Sequence, residues 1–445
     1  MTRTTSTTSM DDVPVNRFHR RIVAVAMGGP FCDGYLLGII AVALPLLTPD
    51  LGVDELGTGL IASSVLVGVF VGGAVFGPIT DRIGRHLMYM LNLLAFVIGS
   101  VLQFFVHEPW QLIALRLFVG IAIGADYPIA SALTTELVPK KLRGPALSGL
   151  VLAWWVGYGI SFYVGWLLQS APDGWRWMLA SGAVPAVAFM LMRRGIPESP
   201  RWLAARGELD KARAVVHKYF GADVDTSELG TENAAVRRGS GMANLVEIFR
   251  RGYAVPVIFC SAFWICQVAP AFALRSFQPQ MLKAFGVDST FGGSAIVTSI
   301  AVVGIALGLA VVNRMGRRPL LIGSFVGMVL ALGALIVFPP HLAVLVIGLF
   351  AAFQFFEAAA SGLQFVYPSE LFPTDLRATG VGIATAMSRV GSAASTFLLP
   401  AATAGLGIGG TLTVGLVITA IGLVVSVALA PETKNLGLAA ASVRT

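Results

Sequence analysis

The chain has 445 residues, 56% of them hydrophobic and only 12% charged, with a mean hydropathy of +0.78. A soluble globular protein carries roughly 25% charged residues, so lipid rather than water solvates most of this chain. The net charge of +7 would suit a nucleic-acid partner, but the placement of the basic residues described below excludes one; Cys32, Cys260 and Cys266 all lie in apolar segments, which excludes a disulfide framework.

Residues 1–21 form a polar tail rich in Thr and Ser, with no short apolar core or cleavage site of a signal peptide. A membrane-spanning helix needs about 20 apolar residues. Six stretches qualify in the first half, near 22–47, 58–79, 87–106, 111–135, 145–170 and 175–192. Six more follow, near 254–284, 290–312, 319–338, 342–367, 379–404 and 408–430. Between them lies the largest polar interruption, 193–253. Its segment Gly207–Tyr219 mixes charges with apolar positions at helical spacing, which predicts short amphipathic helices on the cytoplasmic face. The expected architecture is all-α: a tail at 1–21, a six-helix bundle at 22–192, a cytoplasmic linker at 193–253, a second bundle at 254–430 and a tail at 431–445.

The two halves repeat each other. Glu136-Leu-Val-Pro-Lys-Lys-Leu-Arg143 recurs as Glu370-Leu-Phe-Pro-Thr-Asp-Leu-Arg377, and Asp81-Arg82-Ile-Gly84-Arg85 recurs as Asn313-Arg314-Met-Gly316-Arg317. Pro197-Glu198 recurs as Pro431-Glu432 at the same offset. Three matches in one order mark a duplicated unit. Nearly all Lys and Arg fall in the tails and in alternate connections; the opposite connections hold only Arg176 and Lys283. The positive-inside rule then places both termini in the cytoplasm of a plasma-membrane protein. The basic excess sets topology and leaves no nucleic-acid surface.

Six ionisable side chains fall well inside the expected spans: Asp33, Arg116, Asp126, Arg275, Glu357 and Arg389. Each costs at least about 2.5–3.5 kcal/mol at mid-bilayer, and such groups face the bundle interior. A carboxylate holds its proton more tightly in hydrocarbon and releases it beside a guanidinium. Asp33, with Arg116 as its expected partner and Asp126 as the second carboxylate, is therefore the candidate proton-coupling set. In the second half the guanidinium groups of Arg275 and Arg389 suit a carboxylate or phosphate. Glu357 is expected to neutralise Arg389, leaving Arg275 for an anionic ligand. Gln267, Gln278 and Gln354 add neutral donors and acceptors, and Trp154, Phe272, Phe277, Phe355, Phe356 and Phe365 offer an aromatic lining. Arg116, Gly120, Gly124 and Pro128 lie on one helix face, a packing stripe. The duplicated Asp81, Arg82, Gly84, Arg85, Glu136 and Arg143, with Asn313, Arg314, Gly316, Arg317, Glu370 and Arg377, are expected to form ion pairs of a cytoplasmic gate. All five His fall in tails or connections, and no metal-ligand spacing, nucleophile elbow or phosphate-binding loop occurs. Neither an enzyme nor an ATP-driven pump is indicated, and no cofactor or metal is expected.

Gly77-x-x-x-Asp81-Arg82-x-Gly84-Arg85 resembles the 2–3 loop signature of the major facilitator superfamily, and Arg116-x-x-x-Gly120-x-x-x-Gly124 resembles its helix 4 signature. Pro197-Glu-Ser-Pro-Arg-Trp202 and Pro431-Glu-Thr-Lys434 are similar to marks of its sugar porter branch. The resemblance departs in helix 7, where the branch's Gln-Gln-x-x-Gly-x-Asn is here Cys266-Gln267-x-x-Pro270-x-Phe272. It departs again in helix 10, where Gly-Pro-x-x-Trp is here Ser361-Gly362-x-x-Phe365. Asp33-Gly34-Tyr35-Leu36 resembles the Asp-Gly-Tyr-Asp of aromatic-acid:proton symporters, and Gly124-Ala125-Asp126-Tyr127-Pro128 resembles a phosphate:proton symporter segment. The resemblance implies twelve helices in two bundles and alternating access. The combined expectation is proton-coupled symport of a small organic anion, an aromatic or other carboxylate, by a monomer in the lipid bilayer. The alternatives are uptake of a sugar, polyol or neutral metabolite, drug:proton antiport, and a nutrient receptor without turnover.

Overall fold

The computed structural model describes residues 9–221, Val224, Thr226, 241–337, 342–373 and 376–434. Within helices, the side chains of Gly77, Pro78, Asp81, Arg82, Tyr127, Pro128, Ala205, 241–244 and Ala378 also lie outside the description. Long apolar runs can satisfy their backbone groups in lipid only as helices, and helices are what they form.

The first span is α1 (Arg17–Ala26) continued by α2 (Gly28–Asp50), and the next four are α3 (Glu55–Ile83), α4 (Arg85–Phe104), α5 (Pro109–Leu137) and α6 (Lys140–Leu168). The sixth is broken at Ser181-Gly182 into α7 (Gly174–Ala180) and α8 (Ala183–Met192). Three short helices follow in the linker: α9 (Pro200–Ala205), α10 (Leu209–Tyr219) and α11 (Gly241–Arg250). The seventh span is α12 (Ala254–Ser276) and α13 (Gln278–Ala284), broken at Phe277, where Pro279 restarts the helix. The eighth and ninth are α14 (Thr290–Met315) and α15 (Arg317–Val337); the tenth is α16 (Ala343–Ala360) and α17 (Leu363–Leu371), broken at Ser361-Gly362. The last stretch, α18 (Arg377–Leu429), holds both remaining spans, turned at Gly407, whose φ of 67° only glycine adopts readily.

The duplication in sequence is a duplication in packing. In the first bundle α3 packs along α5 and α2 along α6; in the second, α14 packs along α16 and α12 along α18. The bundles meet where α3 lies against α18 and α6 against α14. Small residues allow the closest of these approaches. A Cβ on Gly120 or Gly124 would collide with the carbonyl oxygens of Val65 and Val69 on α3, and one on Gly72 with that of Ile121 on α5. Gly304 and Gly308 stand in the same relation to Phe355 and Ala359. Gly120 and Gly124 of the stripe expected from sequence thus lie in the α3–α5 seam.

Candidate functional site

The ends that carry the basic connections are built alike in both halves. Gly84 (φ 114°) ends α3, and Glu198 receives the His86 backbone N–H at 3.0 Å. Gly316 (φ 100°) ends α14, and Glu432 receives the N–H groups of Arg317 and Arg318, each at 3.1 Å. A carboxylate at a helix N-terminus satisfies orphan donors and opposes the helix dipole. Against the burial that raises it, the hydrogen bonds from the Lys434, Arg317 and Arg318 backbone hold the Glu432 carboxyl below its usual range. Arg85 pairs with Glu136 at 3.1 Å, and Arg317 with Glu370 at 3.1 Å.

Both pairs therefore join helices of the same half. Arg143 does not face Glu136; it reaches Asp11 of the N-terminal tail at 2.7 Å, because that tail folds back under α6, where the Lys140 N–H also donates to the Asp11 carbonyl. Lys434 Nζ donates to the Arg314 carbonyl beside Asn313, and Arg377 opens α18 at the same end. The Gly77, Asp81 and Arg82 side chains lie outside the described residues.

Between its helices, the first half gathers its carboxylates. Asp33 on α2 and Asp126 on α5 are both buried. Asn92 of α4 donates to Asp126 Oδ1 at 2.9 Å, and the Asp126 carboxylate lies so close to α2 that a Cβ on Gly29 would collide with it. Tyr89 accepts the Gly29 N–H at 2.7 Å and donates to the Val25 carbonyl at 2.8 Å, while the Arg193 guanidinium lies 4.1 Å over its ring.

The expected Asp33–Arg116 pair is not formed. Arg116 Nη1 instead donates to the Leu36 carbonyl at 3.3 Å, nearly one helical turn beyond Asp33. The depth of a side chain along neighbouring helices, which spacing within one helix does not fix, decides the pairing.

The second half gathers amides. Gln267 donates to the Glu357 carbonyl at 3.0 Å and accepts from Gln364 at 3.2 Å. Gln278 donates to the Ser294 carbonyl at 3.0 Å and accepts from Gln354. All four amides are buried, and Gln278 and Gln364 sit just past the breaks in spans seven and ten.

The expected Glu357–Arg389 pairing is replaced by another. Arg275 Nη2 lies 3.4 Å from Glu357 Oε1, with both side chains almost fully buried. The Arg275 guanidinium also lies 4.6 Å from the Phe272 ring and 4.9 Å from that of Trp155 in the other half. Arg275 therefore has a protein counter-ion and an aromatic cage, and does not wait for an anion. Trp154, half-buried, stacks on Tyr158 at 5.3 Å and approaches Phe272 at 6.4 Å. Phe356 packs instead against Gly327 of α15, and Phe365 against Trp264 at 5.1 Å, so these two belong to the wall of their bundle. Sequence reasoning missed Asn92, Trp155, Tyr158 and Gln364; an amide within an apolar span was the available signal for Asn92 and Gln364. It also left Arg193 in the linker, whereas the structure buries it to 1% exposure.

Twelve spans in two like halves, with buried carboxylates in one and buried amides in the other, define a secondary transporter of the major facilitator type. The comparisons extend this. The family model described as "Sugar (and other) transporter" matches residues 22–443, and the chain belongs to that family. It is 38% identical to the inner membrane metabolite transport protein YgcS of Escherichia coli (strain K12), over 98% of this chain and 97% of that one. It is 28% identical to the arabinose-proton symporter of Bacillus subtilis (strain 168), over 98% of each. Its fold matches the inward open conformation of the xylose transporter XylE from E. coli, with a TM-score of 0.81 at 21% identity over 96% of this chain and 99% of that chain. The chain is a membrane transporter, not an enzyme.

Proposed function

We propose that the protein carries a small hydroxylated metabolite, of the sugar or polyol class, together with protons. The observation that carries the reading is the buried amide set Gln267, Gln278, Gln354 and Gln364 around the broken helices of the second half. Amides both donate and accept, which is what a ring of hydroxyls requires. Relatives with arabinose and xylose in their names support the same class. The aromatic-acid reading rested in part on an unpaired Arg275, and Glu357 removes that ground. Asp33 and Asp126, buried together in the first half, are the proton carriers in this reading; Arg116 is set aside from them.

The test is uptake of labelled pentoses, hexoses and polyols into liposomes holding the purified full chain, with and without an imposed proton gradient. Gradient-dependent accumulation of at least one such solute is expected, collapsing with a protonophore. If none accumulates and an organic cation moves instead, the antiport alternative replaces this reading. Orientation with both termini inside rests on the Lys and Arg asymmetry. A cysteine placed at exposed Asp210 should resist an impermeant maleimide from outside intact cells, and ready labelling there would reverse the orientation.

A further inference from the structure

Arg116 differs from the other intramembrane arginines. Arg275 has Glu357 beside it, and Arg389 too has an interaction partner. Arg116 is 1% exposed, and among the described residues its only hydrogen bond is the one to the Leu36 carbonyl. Among the described residues its Nε and Nη2 have no acceptor. Nε and Nη2 form one edge of the guanidinium, the edge that a carboxylate grips with two parallel hydrogen bonds. A buried cation left without such a partner is costly.

The position of Arg116 matters as much as its chemistry. Arg116 lines a small cavity with Leu37, Ile40 and Tyr158 of the first half and Phe272 and Ser276 of the second. In this state the cavity has room for roughly one water molecule. It lies between the halves, so their rocking opens it. Tyr158 joins it to the second half's polar cluster, since its ring is also 5.8 Å from the Arg275 guanidinium.

We propose that Arg116 is a receptor for the carboxylate of the transported solute, and that the solute is an acidic sugar: a polyhydroxylated carboxylate of the uronate or aldonate class. This rests on the hydroxylated-metabolite reading above and narrows it. The amides take the hydroxyls, and Arg116 takes the carboxylate.

The test is calorimetry on the full chain in detergent, with D-glucuronate against D-glucose and D-gluconate against sorbitol. The acid of each pair should bind at least tenfold more tightly. Arg116→Gln should erase that ratio while leaving the neutral member's affinity within a few-fold, and Arg116→Lys should keep part of it. Leu37→Asp retains Arg116 and supplies a carboxylate to the same cavity, so it should also erase the preference; it carries the test if Arg116→Gln does not fold. Equal binding of acid and neutral sugars by the wild type would overturn this inference and leave the broader reading standing. Tighter binding of glucose 6-phosphate than of glucuronate would overturn the carboxylate assignment. Binding of neither acid nor neutral sugar would overturn both readings.

Discussion

At the basic end of the first half, Glu198 caps the start of α4 beside Gly84, and Arg85 reaches Glu136; in the second half, Glu432 caps α15 beside Gly316, and Arg317 reaches Glu370. Halfway across the membrane the likeness ends. The first half holds Asp33, Asp126 and a lone Arg116, where the second holds four glutamines and a closed Arg275–Glu357 pair. The same scaffold has thus kept its ends and diverged in its middle. Ends that must pack and move alike retain one chemistry. On the reading proposed above, the first half's carboxylates handle the proton and the second half's amides the solute's hydroxyls, which takes two chemistries.

The sharpest way to break this comparison is to remove the first half's carboxylate. Asp33→Asn should abolish uphill accumulation, which at 100 mV is about 2.3 kcal/mol per charge moved, yet leave solute exchange measurable in liposomes. Unchanged accumulation would take Asp33 out of the coupling. Next in size is the closed pair of the second half. Glu357→Ala leaves Arg275 buried beside no carboxylate and should cost about 3–5 kcal/mol of stability. The double variant Arg275→Gln/Glu357→Gln should recover most of it, as read from thermal unfolding in detergent. A double variant as unstable as the single one would show that the pair is not the unit the geometry describes.

A smaller effect is expected from the amides. Gln267→Leu removes one donor and one acceptor and should weaken solute binding by about 1–1.5 kcal/mol, with proton dependence unchanged. The smallest tests the matched ends. Glu198→Gln and Glu432→Gln should each cost about 0.3–1 kcal/mol, the value of a charge at a helix N-terminus, and by similar amounts. For Glu432 the sign with pH follows from its lowered pKa: its stabilisation is complete above its ordinary value of 4.5 and is lost as pH falls through the depressed one. The Glu432→Gln variant should lack that part of the acid sensitivity, which unfolding scans at pH 3 to 6 would detect.

Much of this fold was legible because lipid imposes a length. Stretches read as 58–79, 111–135 and 290–312 became Glu55–Ile83, Pro109–Leu137 and Thr290–Met315. Of the duplicated Glu and Arg, Glu136 and Glu370 take matched partners in Arg85 and Arg317, whereas Arg143 turns to Asp11. The breaks at Ser181-Gly182, Phe277 and Ser361-Gly362 were read as parts of single spans, since the apolar runs on both sides outweighed the Ser-Gly pairs and the polar Arg275–Gln280 run. The pairings were not legible. The sequence says that Arg116, Arg275 and Arg389 are in the membrane with three acids, but not at what depth each guanidinium ends. Arg116 reaches the turn beyond Asp33, and Arg275 reaches the carboxylate expected for Arg389. Arg193 looked like a linker residue because it follows the last apolar stretch of the first half, yet the α4 ring of Tyr89 gives it a buried seat.

The division of labour between the halves is tested most directly by counting protons when solute binds. A bound sugar or sugar acid from the calorimetric panel would be added to the full chain in weakly buffered detergent, and the pH change recorded with a dye. The account predicts a proton change for wild type and for Gln267→Leu at saturating solute, and none for Asp33→Asn combined with Asp126→Asn. A proton change that survives in that double variant, or that vanishes in saturated Gln267→Leu, would contradict it.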